Sequence, residues 1–250
     1  MPQVLDQKKE LWKRIEVPVK GASLRGIMAV AMKPKATIIF SHGSGSSHQS
    51  PRNQFVAQFL QEHQYNTLLV DLLTEQEDLI SSNRFDLDKL SKRLGFVTLW
   101  ASQRPELGEA PFAFFGASTG SATALKLLAS RSLQQACLVE YTSQEVPPSL
   151  KKKTLLHVFD RVQSVISRGG RPDLVLDQLD TIKIPVLLLV GELDFDVLSL
   201  NKKAFQALNC RKELHVIPGA SHLFEETGAL KKVVEQTVHW LDRIFTMNTY

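Results

Sequence analysis

Cysteine is scarce: Cys137 and Cys210 are the two in 250 residues, far apart and without metal-ligand spacing, so neither a disulfide framework nor a zinc module is expected. A reducing cytoplasm is the expected location. Long apolar runs are missing as well. The longest, Val186 to Val190, cannot span a bilayer, and the first ten residues carry charges where a signal peptide needs its apolar region, so no membrane association or export is expected. No strong excess of one charge sign exists either. Thirty Lys and Arg stand against 26 Asp and Glu, a formal charge of +4, and the basic pairs and the Lys151-Lys152-Lys153 triplet are scattered without an aromatic platform, which argues against a nucleic-acid partner. Repeats and low-complexity tracts are absent. What remains is 43% hydrophobic and 22% charged, the balance of a chain that buries a core, and its length suits one domain spanning 1–250.

Strand and helix patterns alternate along that domain. Ile15 to Val19 and Leu24 to Val30 flank Lys20-Gly21 and read as an antiparallel hairpin. Ala36 to Phe40 reads as a buried strand, Arg52 to Glu62 as a helix and Thr67 to Val70 as a strand ending at Asp71, which makes a βαβ unit. Further strands are expected at Phe112 to Phe115, Val162 to Ile166, Val186 to Val190 and Leu214 to Ile217. Helices are expected at Asp88 to Ser102, Ser118 to Ala129, Leu198 to Leu208 and Leu230 to Phe245. The fold class is α/β: a mostly parallel central sheet with antiparallel N-terminal strands and helices on both faces.

The chemistry concentrates where the apolar run Phe112 to Phe115 enters Gly116-Ala117-Ser118-Thr119-Gly120 and then a helix of small residues. A serine on so sharp a strand-to-helix turn needs glycine on both sides, because helix and strand approach closely there. Ser118 is thereby exposed above the sheet, beside the free N–H groups of a helix start. Such a nucleophile needs an acid and then a histidine further along the chain. Asp194, released by the strand that ends in Val190-Gly191, is the expected acid, with Glu192 and Asp196 as neighbours that could replace it. His222, between the last strand and the final helix, is the expected base. His63, His157, His215 and His239 sit in strands, helices or a basic segment and read as structural or solvated. His215 with His222 lacks a third ligand, so no metal is expected.

The loop Ser41 to His48 follows the first parallel strand. Its glycines leave backbone amides open, and Ser44 is expected to supply one oxyanion N–H with Thr119 supplying the other. A rival reading takes Gly43-x-Gly45-x-x-His48 with Asp71 as a dinucleotide fingerprint. It fails at the third glycine, where His48 stands, and leaves Ser118, Asp194 and His222 unused.

The ordered trio and the His42-Gly43 loop resemble the α/β-hydrolase superfamily, and the chain is most similar to a bacterial branch like the dienelactone hydrolases. The resemblance runs from about Ile15 to Phe245. It rests on Gly116 to Gly120, His42 to Ser47 with Ser50-Pro51-Arg52-Asn53, Ser167-Arg168-Gly169-Gly170-Arg171-Pro172-Asp173, and Pro218 to Glu226. It implies a serine hydrolase of carboxylic-ester type, cleaving an ester, lactone or related acyl bond of a small molecule without a cofactor. Some relatives in this branch are fused to phosphoribosyltransferase domains, and a chain of this length is expected to carry none. The non-enzymatic alternative is a hydrolase-fold binding or scaffold protein. In some members of the superfamily the acid follows the preceding strand, where this chain has Asp173, read as a helix cap.

One stretch departs from the branch: Ser132 to Arg161 is expected as an insertion at the face opposite the site. It is read as a strand, a turn and a short helix, with Ala136 to Tyr141 as an alternative core strand and a surface open to a protein partner. Ser167 to Arg171 leaves its strand at the active-site end. Arg168 and Arg171, joined by Arg52, are expected either to bind an anionic substrate or, for Arg168, to pair internally with Asp194 or Asp71.

Overall fold

The computed structural model describes residues 12–143 and 157–245. Strand β1 (Lys13–Val19) turns its even-numbered residues to solvent and buries Ile15, Val17 and Val19, the alternation of a half-wet edge. It pairs antiparallel with β2 (Ala22–Ala29), and β2 pairs antiparallel with β4 (Asn66–Val70). From there β3 (Thr37–Ser41), β5 (Phe112–Ala117), β6 (Val162–Arg168), β7 (Val186–Gly191) and β8 (Lys212–Ile217) run parallel in the order β1-β2-β4-β3-β5-β6-β7-β8. β3, β4, β5 and β7 are buried along their whole length, which is why they read as continuous apolar runs rather than alternating ones.

Helices α1 (Pro51–Glu62), α2 (Leu87–Ala101), α3 (Thr119–Ala129), α4 (Arg131–Ser143), α5 (Phe195–Ala207) and α6 (Ala229–Phe245) cover the two faces. Side chains alternating along the central strands divide the core. Ile38, Phe40, Phe115, Ile166, Leu187 and Leu189 pack under α1 and α6. Ile39, Phe112, Phe114, Val165, Val186 and Leu188 pack under α2 to α5. Trp240 of α6 is fully buried, and its indole N–H donates to Ser164 Oγ at 2.9 Å, so α6 is held to β6 by both packing and a hydrogen bond. Truncating it to alanine is expected to cost about 3–5 kcal/mol.

The architecture is the one expected, with three local corrections. Ala136 to Tyr141 lies in helix α4 and is not a core strand: Gln134, Cys137, Leu138 and Tyr141 are buried at i, i+3, i+4 and i+7, a helical spacing that a short apolar run conceals. Residues 144–156, the middle of the stretch expected as an insertion and partner surface, lie outside the described residues. β6 runs two residues beyond Ile166, so Arg168 belongs to the strand and not to a flexible loop. Asp173 opens a 3₁₀ segment (Pro172–Thr181) without capping it. No helix among the described residues is long and apolar enough to cross a membrane.

Candidate active site

Ser118 sits between β5 and α3 with φ 50° and ψ −123°, a left-handed backbone that L-residues adopt at a cost of order 1–3 kcal/mol. The flanking glycines make the turn possible. A Cβ at Gly116 would overlap the backbone of Ser121, and one at Gly120 would overlap the carbonyl of Ser41. The strained residue is over-determined by its neighbours. Its N–H donates to the Arg168 carbonyl at 3.1 Å, and its own carbonyl accepts from Ser121 N–H at 3.1 Å, Ser121 Oγ at 2.9 Å and Arg171 N–H at 3.1 Å. The Ser167 to Arg171 stretch is therefore a brace for the turn that carries Ser118.

At the carboxyl ends of β7 and β8 the structure brings together Asp194 and His222. His222 Nδ1 lies 2.6 Å from Asp194 Oδ2, with Asp194 largely enclosed and His222 39% exposed. That bond makes Nδ1 the donor, so that in the neutral ring the lone pair lies on Nε2. Gly169 lies against the ring: a Cβ there would lie 3.6 Å from His222 Cε1, next to Arg168, whose carbonyl accepts the Ser118 N–H. Two of the other candidate acids are occupied elsewhere. Glu192 accepts the N–H of Gly219 at 2.8 Å and steadies the turn before His222. Asp196 lies in the first turn of α5, and Asp173 holds the Arg171 guanidinium through Nε at 2.9 Å and Nη2 at 2.8 Å.

Gly43 lies against Ser118, since a Cβ on it would come within 3.1 Å of the Ser118 Cβ. The following N–H, that of Ser44, donates to Thr119 Oγ1 at 3.0 Å. The two residues expected as oxyanion donors are thus adjacent, with the threonine hydroxyl occupying the place of an acceptor. Thr119 N–H, at the first position of α3, has no intrahelical partner by position. His42 anchors the loop, accepting from Leu72 N–H at 3.0 Å through Nε2 and facing Gly43 O at 3.0 Å through Nδ1. A cavity of about 10 Å³ beside this loop is lined by His42, Gly43, Ser44, Thr119 and, from the segment after β4, Arg84. Two larger cavities, about 460 and 470 Å³, lie at the opposite, amino ends of β6 and β7, away from Ser118.

Asp71 does not wait for a ribose. Both of its oxygens are taken by His48, one by the backbone N–H and the other by Nδ1 at 2.7 Å, so the carboxylate that suggested a dinucleotide site clamps the loop instead. The three arginines diverge. Arg171 is neutralised by Asp173, which holds its guanidinium pKa above the usual value. Arg52, in the first turn of α1, pairs with Glu225 at 2.7 Å. Arg168 pairs with neither Asp194 nor Asp71: it is 8% exposed and donates to Asn53 Oδ1 at 3.4 Å. Burial, and then the nearby Arg52 charge, push its guanidinium down to about 10, so it stays protonated at neutral pH.

Sequence reasoning missed the His48–Asp71 clamp, Asn53 and Arg84. His48 and Asp71 were each visible, but only the adjacency of β3 and β4 joins them, and nothing local marks Asn53 or Arg84. Among the described residues, no group of three or more His, Cys, Asp or Glu side chains converges on a metal position. The loops at this end of the sheet leave Leu79, Ile80 and Phe85 exposed after β4, Leu193 and Phe195 after β7, and Leu223 after β8.

A fold built this way, with the strained serine after β5 and the carboxylate and histidine after β7 and β8, is that of the α/β hydrolases, and the comparisons agree. The chain superimposes on a dienelactone hydrolase from Anabaena variabilis with a TM-score of 0.79 and 36% identity, covering 94% of this chain and 98% of that one. The chain belongs to the dienelactone hydrolase-like branch of the α/β-hydrolase family. An esterase from Pyrococcus furiosus, 16% identical with a TM-score of 0.66 over 95% of this chain and 94% of its own, shares the fold. A Mycobacterium tuberculosis protein carrying the provisional name phosphoribosyl transferase is 37% identical over 226 residues, 90% of this chain. The chain spans 45% of the length of that curated relative. No family model matches the chain.

Proposed function

We propose that the protein is a serine hydrolase that cleaves an ester, lactone or related acyl bond of a small molecule through Ser118, His222 and Asp194. The observation that carries this reading is the 2.6 Å contact of Asp194 with His222 Nδ1, which in the neutral ring keeps Nε2 free to act as a base, together with the strained backbone of Ser118. In the first half-reaction Ser118 Oγ forms a bond to the acyl carbon while His222 Nε2 takes its proton. The carbonyl electron pair moves to oxygen, where the N–H groups of Thr119 and Ser44 meet it once the Thr119 hydroxyl has turned aside. Collapse breaks the bond to the leaving group, which receives the proton from His222. A water then adds to the acyl-enzyme and gives its proton to His222; collapse breaks the bond to Ser118 Oγ, which takes that proton back from His222 as the acid leaves. Asp194 holds the ring in its tautomer.

The exposed apolar side chains on the loops after β4, β7 and β8 suit a substrate with an apolar portion. The test is labelling by a fluorophosphonate probe followed by mass spectrometry, together with a panel of activated esters, lactones and thioesters. The reading expects one covalent adduct, on Ser118, and turnover that Ser118→Ala abolishes. Turnover persisting in that variant would reject it.

A further inference from the structure

The buried positive charge at the end of β6 has no partner. Arg168 lies 92% out of solvent, yet among the described residues it forms no ion pair, and its Nε and Nη1 are buried donors without an acceptor. Its one hydrogen bond, from Nη2 to Asn53 Oδ1, is long at 3.4 Å and reaches a neutral amide. Arg52, the residue before Asn53, adds a second guanidinium close enough to depress the Arg168 pKa, and its Nε is also buried without an acceptor. Four carboxylates at this end of the sheet are held by other groups: Asp194 by His222, Asp71 by His48, Asp173 by Arg171, and the exposed Glu225 by Arg52. The first turn of α1, which carries Arg52 and Asn53, contains no acidic residue to offset the two guanidiniums.

Proteins seldom bury an uncompensated charge, because desolvation is repaid only by an opposite charge and by filled hydrogen bonds. Two guanidiniums with three unfilled donors between them define the missing component as an anion with several acceptor oxygens. We propose that Arg168, Arg52 and the first turn of α1 form a binding site for a small oxyanion, a carboxylate or a phosphate group, at the edge of the candidate active site. Arg168 is its floor and the half-exposed Arg52 its outer wall, where an entering anion exchanges with Glu225. The site adjoins the chemistry through the backbone, since the Arg168 carbonyl accepts the Ser118 N–H and Gly169 lies against His222. If the anion is carried by the substrate, the site rests on the hydrolase reading and narrows its substrate class. Binding itself is read without turnover, so failure of one is distinguishable from failure of the other.

The experiment is calorimetric titration with sodium phosphate at constant ionic strength, repeated as thermal unfolding. Wild type is expected to give a saturable heat and a saturable rise in Tm. Arg168→Met, which keeps the length of the side chain and removes its charge, is expected to abolish both, and Arg52→Gln to weaken phosphate binding by about tenfold, as expected for loss of one charge-assisted contact. Should Arg168→Met fail to fold, Arg52→Gln decides. No saturable response in wild type, or an unchanged response in the foldable variants, overturns the proposal. A matched pair of aryl esters, one ending in a carboxylate and one in its methyl ester, then assigns the source of the anion. Phosphate that raises KM for the carboxylate ester alone identifies a substrate group. Saturable phosphate binding that leaves both KM values unchanged identifies a free anion. Either pattern supports the site.

Discussion

His222 with Asp194 and His48 with Asp71 are two histidine–aspartate pairs whose aspartates follow β7 and β4, each two places from β5 in the sheet, and they differ in what the carboxylate grips. Asp194 holds only the imidazole of His222, which stays 39% exposed. Asp71 holds both the imidazole and the backbone N–H of His48, whose ring is mostly enclosed, so it ties the loop that carries Ser44 down to β4. A carboxylate on a ring alone leaves a base free to accept a proton; a carboxylate on ring and backbone together makes a staple. In the proposed mechanism the same pair of residue types does chemistry on one side of Ser118 and architecture on the other.

That division is tested most severely by removing the groups proposed to react. Ser118→Ala and His222→Ala should each lower kcat/KM for activated esters by about a thousandfold or more, with unfolding midpoints close to wild type. Asp194→Asn should lose nearly as much, because the amide would favour the wrong imidazole tautomer, and the loss should fall on kcat. Asp71→Asn sharpens the contrast: it should slow kcat by about tenfold, through a loosened Ser44 loop, and lower Tm measurably. A loss equal to that of Asp194→Asn would erase the distinction between base and staple. Asp173→Asn, beside Arg171 and away from His222, should change kcat/KM by less than about threefold; a loss approaching that of Asp194→Asn would move the acid to Asp173.

The smallest effect belongs to a third pair, His215 with Glu213 on β8. A hydrogen bond from Arg243, followed by one from His215, holds the Glu213 carboxyl at about 2, below its ordinary 4.5. Since the folded pKa is the lower one, this contribution is present above pH 4.5 and is lost as pH falls from 4.5 towards 2. The group is partly exposed, so no more than about 1 kcal/mol is at stake. Glu213→Gln should flatten the acid limb of a stability–pH curve by that small amount and leave ester turnover unchanged.

Much of the molecule was legible locally. The elbow at Ser118 could be read because its requirements are short-range: an apolar strand, two glycines at contact distance from neighbouring backbone, and a helix of small residues within eleven positions. The order of Asp194 and His222 was readable because Asp194 follows the buried apolar run of β7 and His222 lies in the turn between the last strand, β8, and the final helix. The rhythm of α4 was not, since Ala136 to Tyr141 is too short a run to separate a period of two from one of 3.6 without the helix α2 it packs against. Nor could the chain show that Arg168 would stay in the strand.

By itself, then, the sequence determined the alternation of elements, the strained serine and the chain order of the acid and base that follow it, because these depend on neighbours a few residues away. Only the tertiary structure decided which carboxylate meets which partner. Asp194, Asp71, Asp173 and Glu225 are equivalent as letters, and their partners are 28, 23, 2 and 173 positions away in the chain. Coulomb attraction and hydrogen bonding act over a few ångströms of space, whatever the separation along the chain. The strand order that closes those distances leaves Arg168 with a buried charge and no carboxylate to match it.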